Sequence, residues 1–133
     1  MRAKRLYLGF LAATVVLSAS VMAGPAAASG KNQVPPQLAG QWAIPWSGGT
    51  EYLTLADSHF MFFFDQPSRH AVARGAVSVS GNTITFYSSN QCTGTGTYYW
   101  SRSDGGLTFV QVPGSFDPCP RAAILTSGTW TRR

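Results

Sequence analysis

Chemistry in this chain has to be built from two histidines, two cysteines and five acidic residues. His59 sits in an aromatic run and His70 follows Arg69 in a polar stretch. Neither has a partner at metal-ligand spacing, so a zinc or haem site has no support. His59 reads as a half-buried strand residue and His70 as a solvated loop residue. Cys92 and Cys119, without a nearby pair of histidines, are too few for zinc. A nucleophile, base and orienting acid can be drawn from the serines, His70 and Asp65, but no serine occupies a strand-to-helix elbow. Paired carboxylates for glycoside hydrolysis would have to come from Glu51, Asp57, Asp65, Asp104 and Asp117. Asp57 and Asp104 read as turn residues whose side chains serve the backbone. Asp117, placed before Pro118, reads the same way, with pairing to Arg121 four residues on as the alternative. Residues 94–97 resemble a phosphate loop in composition only, because no helix start follows them. The expectation is a protein that is not an enzyme and takes no metal and no cofactor.

The elements that would position these residues begin after an amino-terminal leader. Arg2, Lys4 and Arg5 precede an apolar run over residues 6–17, and small residues follow through 23–28. That order is the order of a secretory signal peptide, with cleavage after Ala23 or after Ala28. The apolar run is short of the roughly 20 residues a bilayer span requires. A retained membrane anchor is the competing reading. The expected organisation is a signal peptide over 1–28, a flexible leader over 29–37 and one domain over 38–133, secreted or otherwise extracytoplasmic. The formal charge of the whole chain is +5. Without the signal, seven basic residues face five acids, a net of +2, and the basic residues are not clustered, which argues against nucleic acid as a partner. In an exported domain Cys92 and Cys119 would pair, closing a loop that stabilises the fold by about 3 kcal/mol in the chain-entropy model. Two free thiols in a reducing compartment are the alternative.

From residue 38 onward the pattern is short strands separated by tight turns. Leu53 and Leu55 alternate with Tyr52 and Thr54; Ile84 and Phe86 alternate with Thr83, Thr85 and Tyr87. Residues 59–64 are read as a strand with Phe60, Phe62 and Phe64 inside. Residues 71–79 form another, with Gly75 a bulge or bend. The stretch 92–100 is read as the central strand, its Tyr98 and Trp100 on one face. Residues 107–112 and 128–132 supply the last two strands, and residues 121–125 one helical turn between them. No connection is long enough for a crossover helix, so consecutive strands are antiparallel neighbours. The predicted fold is all-β: one small eight-stranded antiparallel meander barrel, closed by first and last strands that each carry an inward tryptophan. A two-sheet sandwich is the rival topology.

Residues 40–42, Gly-Gln-Trp, resemble the Gly-x-Trp signature that opens lipocalins and other calycins. Gly96, Tyr98, Trp100, residues 117–121 and Gly128 with Trp130 extend a resemblance to small exported lipocalin-like proteins of actinobacterial type over residues 38–132. The resemblance implies a tryptophan closing one barrel end beneath an arginine, with Arg132 the first candidate and Arg121 the second. It implies nothing specific about chemistry, and the chain is shorter than true lipocalins and lacks an obvious C-terminal helix.

An eight-stranded barrel has room to fill with side chains or to hold one small ligand. The interior candidates for contact with a ligand are Trp42, Phe62, Phe86, Tyr98, Trp100, Phe109 and Trp130. They account for a filled barrel as packing alone. If one end stays open, Tyr98 and Trp100 would present polar tips beside apolar walls. The leading expectation is a binding module for a small hydrophobic or aromatic ligand. The alternative is an exported structural or protein-interaction domain, with weak self-association through an outer band of Tyr52, Met61, Phe63, Tyr87 and Tyr99, a face that the leader or loops could equally cover.

Overall fold

Alternating apolar residues in short runs, broken every six to eight positions by Gly, Asp and Asn, bury one face when the sheet curls on itself or stacks on a second sheet. The computed structural model, which describes residues 32–133, has the first of these forms. The strands are β1 (Gly40–Trp46), β2 (Gly49–Ala56), β3 (His59–Phe64), β4 (Ala73–Ser80), β5 (Thr83–Tyr87), β6 (Gly96–Ser103), β7 (Gly106–Gln111) and β8 (Thr131–Arg132), with one helix, α1 (Arg121–Leu125), before β8. Each strand pairs with its sequence neighbour, and β8 returns to β1, giving the order β7-β6-β5-β4-β3-β2-β1-β8. The seam is closed by an isolated antiparallel bridge between Leu107 and Trp130, whose amides donate to each other's carbonyls at 2.9 and 2.8 Å. The result is a nearly closed eight-stranded barrel, all-β as the sequence predicts. The signal peptide expected over 1–28 lies outside the described residues.

Register places the inward residues in layers. Trp42 faces Leu53 and Leu53 faces Phe62; Ile84 faces Tyr98 and Trp100 faces Phe109. Trp42, Leu53, Leu55, Phe60, Ile84, Phe86, Tyr98, Leu107 and Trp130 are all essentially inaccessible. Their rings interlock edge to face, Phe86 with Phe60 at 5.2 Å and with Tyr98 at 5.8 Å, the arrangement aromatic quadrupoles favour.

One barrel end is shut by the chain that precedes β1. Residues 32–39 cross it with Val34 and Leu38 buried, and the Val34 amide donates to the Asp57 carbonyl at 2.7 Å. Trp42 plugs this end, its Nε1 donating to the Leu38 carbonyl at 2.9 Å. The Arg132 guanidinium lies 4.6 Å from the indole centroid and that of Arg102 4.8 Å. Both donate to the Gln37 carbonyl, at 3.2 and 2.8 Å.

Four local expectations need correction. The strand containing Tyr98 and Trp100 begins at Gly96, and residues 92–95 are irregular. In a nearly closed barrel, moreover, no strand is central. Gly75 is not a bulge: it sits in regular pairing opposite Phe60, and a side chain there would collide with the Phe60 ring and the Ser89 backbone. On β3, Phe64 is exposed and Phe63 buried, the reverse of the alternation drawn from Phe60 and Phe62. The loop after β3 folds back over the outer face, where Gln41 Nε2 donates to Thr54 Oγ1 at 3.2 Å and to the Pro67 carbonyl at 2.5 Å. The outer aromatic band is therefore interrupted at Phe63.

Candidate ligand-binding site

The end opposite Trp42 is built from loops and α1, and it is organised by one buried ion pair. Residues 112–120 contain three prolines and cannot join a ladder. They cross the barrel end and lead into α1. Cys119 is bonded to Cys92, with Cα atoms 5.9 Å apart, which ties the base of the helix to the loop before β6. Asp117 is buried and accepts four hydrogen bonds. They come from Tyr98 Oη at 2.5 Å, from Arg121 Nε at 2.7 Å and Nη2 at 3.1 Å, and from the Cys119 amide at 3.0 Å. Arg121 also donates to the Gly94 carbonyl at 2.7 Å and the Phe86 carbonyl at 3.3 Å. Asp117 thus fills both roles read for it: its Oδ1 holds the turn through the Cys119 amide two residues on, and its carboxylate is paired with Arg121; burial of the pair is what the sequence did not disclose. Gly96 is part of the same design, because a Cβ there would collide with the Asp117 carboxylate. Burial first, then the hydrogen bond to Asp117, pushes the Tyr98 phenol above its ordinary range.

Beneath this cover lies a cavity of ≈ 260 Å³. Its walls include Phe60 and Phe62, Val72 and Ala73, the Cys92–Cys119 bridge and Ile124, with Glu51 as the acidic group. Glu51 is inward on β2 by the same alternation that turns Leu53 and Leu55 inward, and it is only 3% exposed. Among the described residues nothing donates a hydrogen bond to its carboxylate and no cation pairs with it. Burial, and secondarily the negative charge of Asp65, push its pKa up to about 7. Asp65 itself is held by the Thr50 amide at 2.8 Å. Arg121 also lines the cavity, but its guanidinium is committed to Asp117.

The raised pKa makes stability depend on pH. Between about 4.5 and about 7 the folded chain holds a proton on Glu51 that the unfolded chain releases. The stabilisation is complete below that window, falls as pH rises through it, and is absent above it. The expected size is on the order of 2–3 kcal/mol. Denaturant unfolding across this range should show the decline, and Glu51→Gln should flatten it and be the more stable protein at about pH 8. An unchanged slope in the variant would place the titration elsewhere.

The seven residues singled out as ligand contacts fall into three environments. Phe62 lines the cavity. Trp42, Phe86, Tyr98, Phe109 and Trp130 are buried in the packed core. Trp100 is half-buried toward the Trp42 end, beside a shallow hollow with Pro35 and Gly81, and its Nε1 donates to the Gly81 carbonyl at 3.1 Å. Of the two arginines considered for the tryptophan plug, Arg132 lies over Trp42, whereas Arg121 is at the opposite end. Arg102 takes the second place, and its inward parity with Tyr98 and Trp100 was the signal for it. Glu51 was weighed only as one of five carboxylates for hydrolysis, and its place on the cavity wall was missed, though its parity with Leu53 was readable.

A broader depression of ≈ 630 Å³ involves Asp57, His59, Met61 and Arg74. Although larger, it is the shallower of the two and its rim carries Asp57, His59 and Arg74, whereas the smaller cavity is framed by inward phenylalanines, α1 and the disulfide, which makes it the better candidate. His70 does not line the cavity, and no cluster of three or more metal-ligating side chains occurs among the described residues. No helix among them is long and apolar enough to cross a membrane. No protein-family model matches the chain, and no curated protein or solved structure matches it.

Proposed function

We propose that this chain is an exported, lipocalin-like binding module for a small apolar ligand, acting by binding rather than by catalysis. The observation that carries this reading is the ≈ 260 Å³ apolar cavity under α1, a recess lined by barrel wall, helix and disulfide together. Apolar cavities of about 150 Å³ stay dry and admit a benzene-sized molecule, and drug-sized ligands need about 300 Å³ or more. The fitting ligand is therefore a single ring or short branched chain. The disulfide favours an oxidising compartment, in keeping with the signal-like leader. A non-catalytic role is favoured because the ionisable groups at the cavity are one unpartnered carboxyl and one arginine already neutralised by Asp117.

The interaction-domain alternative rests on the outer face. There Tyr99 and Val110 are cross-strand partners and both exposed, but burial of Phe63 divides the band. Titrating toluene into the methyl-labelled protein tests the favoured reading. Shifts at Ile124, Val72 and Ala73 that saturate together are expected. No shift at these methyls, or shifts confined to Val110 on the outer face, would reject a ligand cavity.

A further inference from the structure

The cavity contains one feature that an apolar ligand alone would leave unanswered. Glu51 is inward, almost wholly buried and without a hydrogen-bond donor among the described residues. A carboxyl in such a place costs stability unless something pairs with it. The Asp117–Arg121 pair is internally neutral, so it offers Glu51 no free cation. Asp65 adds a second negative charge close to Glu51. The local field therefore favours a positive group entering the cavity and disfavours an anion.

We propose that the cavity selects small apolar amines, with the ligand's ammonium donating to the Glu51 carboxylate and its apolar body lying between Phe60, Phe62 and Ile124. This inference rests on the binding-module reading above and names the ligand class for that same cavity. The desolvation of Glu51 has already been met in folding, so a cationic ligand recovers it on binding. A neutral ligand of equal shape does not. The size limit is set by the ≈ 260 Å³ volume, which accommodates one ring with a one-carbon amine arm and excludes drug-sized molecules.

Three single-ring probes separate the amine preference from apolar binding in general: toluene as the apolar ligand, benzylamine, and benzyl alcohol as the uncharged isostere of benzylamine. Calorimetric titration of each at about pH 8 into the full exported domain, native and Glu51→Gln, gives the comparison. A hydrogen bond to a charged group corresponds to roughly a tenfold or greater gain in affinity. Benzylamine should therefore bind native protein at least about tenfold more tightly than toluene, with benzyl alcohol between them. Glu51→Gln should erase that preference, so that benzylamine and toluene bind the variant with affinities within about twofold of each other. If toluene binds but benzylamine gains nothing, the amine selection is wrong and the apolar cavity stands. If benzylamine's advantage survives in Glu51→Gln, its site is not at Glu51 and the proposal fails. If none of the three binds, the binding-module reading fails with it.

Discussion

Replacing Asp117 with alanine is expected to lower folding stability by about 3–5 kcal/mol, the cost of leaving a buried charge without its partner. Asp117 is the one acceptor that Tyr98, Arg121 and the Cys119 amide share. Its removal strands the Arg121 guanidinium under the barrel rim with only the Gly94 and Phe86 carbonyls as partners. For a domain near this size, each kcal/mol moves Tm by about 4–8 °C, so calorimetry should record a fall of at least about 12 °C. The sign of the coupling is a sharper check. Arg121→Met added to Asp117→Asn should recover part of the loss, because neither partner then remains charged and buried. A double variant that is less stable than the sum of the singles, or an Asp117→Ala change under about 0.5 kcal/mol, would mean that the network is not what holds this end together.

The second large effect concerns the Cys92–Cys119 bridge. The cysteines are 27 residues apart in sequence, and constraining a loop of that length in the unfolded chain stabilises by about 3.5 kcal/mol in the chain-entropy model. The paired Cys92→Ser and Cys119→Ser variant should lose approximately that amount in denaturant titration. The loss should be accompanied by weaker toluene binding, since both cysteines form part of the cavity wall. Loss of stability with unchanged toluene affinity would show that the roof keeps its shape without the bond. Unchanged stability would show that the denatured chain is constrained by other means.

These two effects come from the end of the barrel that was hardest to read in the sequence. Strand alternation in β2 and β5, and the Gly81 turn between β4 and β5, follow from local chemistry, so the architecture was legible. So was the pairing of the cysteines. The tryptophan plug was half legible: Trp42 and Arg132 come from strands that meet only on closure, and the motif pointed to both. Arg102 escaped notice because its charge suggested an outward position despite inward parity. On β3 it was Phe64 that misled, since the inward alternation of Phe60 and Phe62 does not continue to the strand's last residue, while the burial of Phe63 is that of an outer-face residue covered rather than exposed. Asp117 could be paired with Arg121 by spacing, but only the crossing of residues 112–120 beneath Tyr98 makes that pair buried. The consequential omission was the inward position of Glu51, which was weighed only as a catalytic carboxylate. Acidic residues on inward strand positions are discounted because burial disfavours them, and that same cost makes Glu51 informative about what enters the cavity.

The most direct measurement is a crystal structure of the protein soaked with 4-bromotoluene, recorded at the bromine edge. The account requires an anomalous peak between Phe62 and Ile124, beneath the disulfide. A peak only in the outer hollow beside Met61 and Arg74, or no peak at saturating ligand, would contradict it.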